Sequence, residues 1–184
     1  SFFTTLNMIV KVGAKPAFVD CDLVTRNIDL QEIEAAITSR TKAIMPTHWP
    51  GSLVDLPALY ALARRRNLRV IEDAALVMGS QWQGRNVGAI GDLVTFSFHP
   101  NKNMTTIEGG AIAFGPGVEV DLIELERFHG IIRDGEGNVD GARAGGKDNL
   151  SDGAARLGLD QLERLAGFPA RRREAGISPR AEAL

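Results

Sequence analysis

Apolar residues recur at helical spacing in TTLNMIVKV (4–12), and the run stops at Gly13, a residue suited to end a helix. A second stripe, Leu30, Ile33 and Ile37, follows Asp29. A third segment, LPALYALARRR, follows Asp55 and carries Pro57 in its first turn. Both acids stand where a helix cap is wanted, and proline is tolerated there. Between these segments lie short apolar runs without that period: PAFVD (16–20), KAIMP (42–46) and LRVIED (68–73). Two more, LVTFSF (93–98) and GGAIAF (109–114), come in succession. The pattern predicts helices alternating with buried strands, hence an α/β domain with a largely parallel sheet covered by helices on both faces.

The texture changes after Phe114. VEVDLIELERFHG (118–130) has amphipathic helical spacing, and NLSDGAARLGLDQLERL (149–165) has it again, with Ser151 or Asp152 as cap. Residues 131–148 between them are rich in glycine and show no period, which predicts a flexible loop. Three parts are therefore expected: a large domain over 1–130, the loop over 131–148, and helices over 149–184.

Composition narrows the partners. The chain has 184 residues and a formal net charge of -2, which gives no electrostatic reason to expect nucleic acid or an anionic membrane. No apolar run approaches the roughly 20 residues that span a bilayer. A single cysteine, Cys21, precludes an internal disulfide and suits a reducing compartment, so the cytoplasm is expected.

In open α/β sheets, ligands bind beyond the carboxyl ends of the strands. Three strands of this reading end in polar residues: His48 after AIMP, Glu72 and Asp73 after LRVI, and Ser97 to Lys102 after LVTF. A lysine beside an acid at such an edge has three uses. It binds phosphate as a point charge, forms a surface ion pair, or forms a Schiff base with a carbonyl compound. A phosphate-loop lysine needs a glycine-rich loop before it, and HPN is not one. Pyridoxal phosphate needs a lysine for its aldehyde, a carboxylate for its ring nitrogen and hydroxyls for its phosphate. Lys102, Asp73 and Ser97 supply one of each, while a plain surface role for Lys102 stays open. The histidines, His48, His99 and His129, lack metal-ligand spacing. No GxSxG turn surrounds Ser97.

Several stretches in order, SFFTTLNMIVKVGAKPAFVDCD, TRNIDLQEIEAAITSRTKAIMPTHWPG, VIEDAA, FSFHPNKNMTTIEGGAIAF and KDNLSDGAARLGLDQLERL, resemble the DegT/DnrJ/StrS-type aminotransferases. The likeness covers nearly the whole chain and is greatest to the branch that includes the aminotransferase for UDP-4-amino-4-deoxy-arabinose. It implies the large domain of a fold type I pyridoxal-phosphate enzyme, with a mostly parallel, mixed sheet. The implied activity is amino transfer from a glutamate-type donor to a nucleotide-linked keto-sugar, in cell-envelope polysaccharide or antibiotic-sugar synthesis. It assigns Lys102 to the Schiff base and to proton transfer, Asp73 to the ring nitrogen and Ser97 to the phosphate. It also assigns Phe2 to stacking on the ring, and Asn149 to the phosphate in a neighbouring subunit, hence a homodimer with shared sites.

The resemblance has departures. The third residue after the aspartate, which in the family is usually histidine or glutamine near the phenolic oxygen of the cofactor, is Leu76. The position before Asn149, often aromatic in that branch, is Asp148. The family's N-terminal phosphate-binding segment is expected to precede Ser1, and its small domain to follow Leu184. Two alternatives stand beside the enzyme: a non-catalytic, regulatory or truncated inactive relative, and a sugar dehydratase of the same fold. The dehydratases carry histidine in place of the lysine, so Lys102 counts against that last reading.

Overall fold

The computed structural model describes residues 2–50, 52–116 and 120–168. Its central sheet has four strands in the order β1 (Ala43–Ile44), β2 (Arg69–Asp73), β5 (Leu93–Ser97) and β6 (Gly110–Phe114). The first three run parallel, and β6 returns antiparallel to β5. The sheet is thus mostly parallel and mixed, as the alternation of elements and the resemblance lead one to expect. A hairpin of β3 (Gln81–Trp82) and β4 (Arg85–Asn86) links β2 to β5.

The helices begin and end where capping chemistry puts them. Helix α1 spans Phe3–Lys11, and Gly13 after it takes a φ of +77°. Helix α2 (Leu30–Ala36) opens at Asp29, whose carboxylate accepts the Gln31 N–H at 2.8 Å. Helix α3 (Leu56–Arg66) opens at Asp55, which caps Ala58 N–H at 3.0 Å. It closes on Asn67 in the left-handed region, a conformation asparagine tolerates. Helix α4 spans Val120–Glu126, and α5 (Asp152–Arg164) is capped by the Ser151 hydroxyl, not by Asp152.

One face of the sheet carries the core. Ile33 of α2 and Leu59, Leu62 and Ala63 of α3 pack on Ile44 and Val70. Val77 and Val87 continue the layer over Val94, with Phe96 and Ala113 against them. Register puts Ile71, Asp73, Leu93, Thr95, Ser97, Ile112 and Phe114 on the other face. Helix α1 meets that face at Asp73.

Two expectations need correction. PAFVD forms no strand among the described residues: its end turns into a local loop, where Asp20 C=O accepts Asp29 N–H at 3.1 Å and the isolated bridge Cys21↔Ile28 forms. Residues 131–148 are not wholly irregular: β7 (Ile131–Arg133) and β8 (Val139–Gly141) make an antiparallel hairpin. Its turn is held by the Asp134 carboxylate, which accepts Glu136 and Asn138 N–H groups. The part of the C-terminal helical segment after residue 168, with Arg171 to Arg173, lies outside the described residues.

An ion pair ties the amino ends of β2 and β5. The Arg69 guanidinium grips both oxygens of Asp92, with Nη2 at 2.7 Å from Oδ1. These hydrogen bonds hold the Asp92 carboxyl below its ordinary range. A depressed carboxyl stabilises the fold above its unfolded value, and that contribution is lost as pH falls through the folded value. Asp92→Asn is therefore expected to cost about 1 kcal/mol at neutral pH, because the pair is partly exposed. In urea unfolding the gap to the parent should close as pH drops below about 4; a gap unchanged at acid pH would assign the cost elsewhere.

Candidate active site

Because β1, β2 and β5 are parallel, their carboxyl ends share one edge. Asp73 N–H donates to Pro46 C=O at 2.8 Å, His48 N–H donates to Asp73 C=O at 3.0 Å, and Ala74 N–H to Thr95 C=O at 2.9 Å. Asp73 stands level with Thr95, so Ser97 lies two residues further along β5. Side chains alternate along a strand, which sends Asp73 to one face of β2 and Glu72 to the other.

The half-buried Asp73 carboxylate is aimed by two donors. Its Oδ2 accepts the Thr5 hydroxyl at 2.7 Å and its Oδ1 accepts Ala75 N–H at 3.1 Å. An ionised carboxylate has about four acceptor sites, so these two bonds orient it and leave capacity for a ligand. Sequence reasoning missed Thr5: it lies 68 residues from Asp73, and α1 gives no local sign that one hydroxyl is special.

Lys102 sits five residues beyond β5 in a loop that closes on its own base. Phe98 N–H donates to Gly109 C=O at 2.9 Å, and Phe98 C=O receives both Thr106 N–H and the Thr105 hydroxyl. The loop is pinned to the segment following Asp73 by Asn103, whose Nδ2 donates to Met78 C=O at 2.8 Å. It is pinned to α5 by Thr105 N–H, which reaches Gln161 Oε1 at 2.8 Å. Neighbours of Lys102 on both sides are therefore fixed. The half-buried lysine ammonium itself makes no hydrogen bond or ion pair among the described residues.

Ser97 ends β5, and among the described residues its hydroxyl accepts only a long 3.4 Å bond from His99 N–H. Phe2 precedes α1 and is 74% exposed, one turn from Thr5. Leu76 is 37% exposed in the turn after Asp73. Asn149 stands apart from these: its Oδ1 accepts Lys147 Nζ at 2.6 Å, and it lines a cleft of about 460 Å³ with Thr106 to Gly109 and the first turns of α5. Asp73, Ser97 and the Lys102 loop thus share the edge, whereas no hydrogen bond of Asn149 reaches them.

His48 and Glu72 do not face that edge, contrary to the expectation that all three strand ends point their polar groups there. Both are 0% exposed and bound to each other, His48 Nε2 to Glu72 Oε2 at 2.8 Å. Glu72 Oε1 accepts the Tyr60 hydroxyl at 2.5 Å, and His48 Nδ1 accepts Val54 N–H at 3.2 Å. Burial, then the Glu72 hydrogen bond and charge, push the Tyr60 hydroxyl far up from its ordinary value.

Among the described residues, no group of three or more His, Cys, Asp or Glu side chains could hold a metal ion. No described helix is long and apolar enough to cross a membrane. The donor set does suit pyridoxal phosphate. An unengaged primary amine, a carboxylate with spare acceptor capacity and a nearly free hydroxyl stand on one sheet edge.

Comparison with known proteins gives a consistent pattern. The profile of the DegT/DnrJ/EryC1/StrS aminotransferase family matches residues 1–177. An uncharacterized protein of Methanocaldococcus jannaschii is 40% identical over 182 residues, 95% of this chain and 47% of that one. Among solved structures, PseC of Helicobacter pylori, an aminotransferase involved in the biosynthesis of pseudoaminic acid, superimposes with a TM-score of 0.90 at 30% identity. The match covers 95% of this chain and 47% of PseC. The PLP form of Spr1654, a sugar aminotransferase homologue of Streptococcus pneumoniae, gives 0.86 at 29% identity, covering 95% and 49%. The chain spans about half the length of these relatives.

Proposed function

The chain belongs to the DegT/DnrJ/EryC1/StrS aminotransferase family, and from that premise we propose that its parent protein transfers an amino group from a glutamate-type donor to a nucleotide-linked keto-sugar. One observation carries the reading. A lysine with an unengaged ammonium sits on a loop pinned by Asn103 to the segment following Asp73, at the edge where β2 and β5 end.

When bound, pyridoxal phosphate supplies an electron sink for the carbon that loses a proton. The chain's own groups do the rest. Lys102 Nζ would hold the cofactor and, once released as a free amine, would take up or return the proton at the sugar carbon. Asp73, oriented by Thr5 and Ala75, keeps the ring nitrogen protonated, since a carboxylate at hydrogen-bond distance favours the charged form. Ser97 donates its hydroxyl to the phosphate. Phe2, exposed one turn before Thr5, is free to cover the ring face. Asn149, engaged with none of these groups, is assigned to the phosphate of a second copy, so the proposed enzyme is a homodimer, and the cytoplasm is its proposed compartment.

The test is direct. The full-length gene product, given pyridoxal phosphate, glutamate and a panel of nucleotide-linked keto-sugars, should yield an amino-sugar detectable by mass. Failure with every sugar in the panel, despite bound cofactor, would count against it.

Leu76 favours a second reading, a relative that keeps the fold without transfer. An apolar side chain cannot hydrogen-bond the phenolic oxygen of the cofactor. Leu76→Gln is expected to shift the pKa read from the visible absorbance of bound cofactor by about half a unit to one unit, the size of one ordinary hydrogen bond. An unmoved titration would mean that Leu76 faces elsewhere.

A further inference from the structure

We propose that His48 and Glu72 are positioning residues for Asp73, forming a buried clamp that fixes where the end of β2 places that carboxylate. The inference rests on the reading of Asp73 as the partner of the cofactor ring nitrogen.

The clamp works because one residue makes both of its connections. His48 donates its backbone N–H to the carbonyl of Asp73 at 3.0 Å, and its ring Nε2 meets Glu72 Oε2 at 2.8 Å on the opposite face of the same strand. Asp73 returns the pairing with its own N–H to Pro46. The end of β1 therefore grips β2 at two consecutive residues, by main chain at Asp73 and by side chain at Glu72. Without the side-chain bond, the main chain would be left to hold this register through a two-residue strand, the Arg69 N–H bond to Lys42 C=O and the bridge at Thr47.

The ring has one orientation that satisfies every partner. Nδ1 accepts Val54 N–H, so its proton must reside on Nε2, where it is donated to the carboxylate. The other carboxylate oxygen is taken by Tyr60 of α3, whose own oxygen accepts Asp92 N–H at 2.8 Å. The assembly is sealed as well. A Cβ at Gly91 would meet Glu72 Oε1 at 2.8 Å and the Tyr60 hydroxyl at 3.0 Å. No face of Glu72 is open to a ligand, so its carboxylate acts on the site through the backbone it anchors.

The variants separate positioning from bulk stability. His48→Asn offers Oδ1 to Val54 but cannot reach Glu72, cutting the clamp alone. Glu72→Gln keeps an acceptor for the ring and should preserve it. Tyr60→Phe removes a bond to the same carboxylate without touching β1, and serves as the stability control.

In the full-length gene product, His48→Asn should speed hydrogen exchange of the main chain over residues 71–75. It should also move the pKa read from the visible absorbance of bound pyridoxal phosphate, and lower kcat on the order of 10²-fold, the scale of a misplacement near 1 Å. Glu72→Gln should leave the exchange and the titration as in the unsubstituted protein. Tyr60→Phe should lower the urea midpoint with the titration unmoved. If His48→Asn leaves either the exchange or the titration unchanged, or if Tyr60→Phe moves the titration equally, the pair is structural only and the proposal falls. If the parent protein takes up no cofactor, the reading of the site fails and carries this inference down with it. Cofactor uptake with an unmoved titration overturns the clamp alone.

Discussion

Lys102→Ala should abolish the visible absorbance that pyridoxal phosphate gains on binding and lower amino transfer by about 10⁴-fold or more. The residue is assigned two duties, and loss of a general acid–base group alone costs about 10²–10⁴-fold. The fold should survive. The Lys102 ammonium has no partner among the described residues, and its loop is held by Asn103, Thr105 and Phe98 instead. Lys147→Ala supplies the contrast, because that ammonium is already committed to Asn149 at 2.6 Å and lies 5.5 Å from the Phe128 ring. Absorbance spectra of both variants with added cofactor, beside their circular dichroism, make the check. A persistent band in Lys102→Ala would remove the lysine from its role.

Asp73→Asn should keep the fold and weaken the cofactor site. The substitution is nearly isosteric. An asparagine oxygen can accept Ala75 N–H while its amide nitrogen donates to the Thr5 hydroxyl, which also accepts. What is lost is the charge proposed to face the ring nitrogen. A hydrogen bond to a charged group contributes roughly 1.5–3 kcal/mol, and each 1.4 kcal/mol is about tenfold. Cofactor affinity should therefore fall by roughly one to two orders of magnitude, and turnover by at least as much. Fluorescence titration with pyridoxal phosphate measures the first, and initial rates at saturating cofactor the second. Affinity within twofold of the parent would show that Asp73 does not meet the ring.

What the sequence made legible followed from local chemistry. Asp29, Asp55 and Ser151 announce helix starts because a cap acts within three residues. LRVIED and LVTFSF read as strands because both are short, apolar and bounded by turns. PAFVD carries the same signal and joins no strand of the sheet among the described residues, since a strand also needs a neighbour and no local pattern supplies one. The hairpin at residues 81–86 was missed for a different reason. Its turn, Gln83 at φ +48° and Gly84 at φ +78°, lacks the Asn-Gly signature. At the site, Asp73, Ser97 and Lys102 were visible as polar residues ending apolar runs. Thr5 was not, and neither was the pairing of His48 with Glu72, because those contacts cross 68 and 24 residues of chain. Sequence pattern reports which edge a residue reaches; only the folded backbone reports which face it takes.

The central claim is that Lys102 is the residue to which the cofactor is bound. The most direct measurement is borohydride reduction of the full-length gene product loaded with pyridoxal phosphate, followed by protease digestion and mass mapping of the labelled peptide. The account predicts a single reduced pyridoxyl group, on Lys102, in the peptide that contains FSFHPNKNM. A label on Lys147 or any other lysine with Lys102 unmodified, or no label at all, would contradict it.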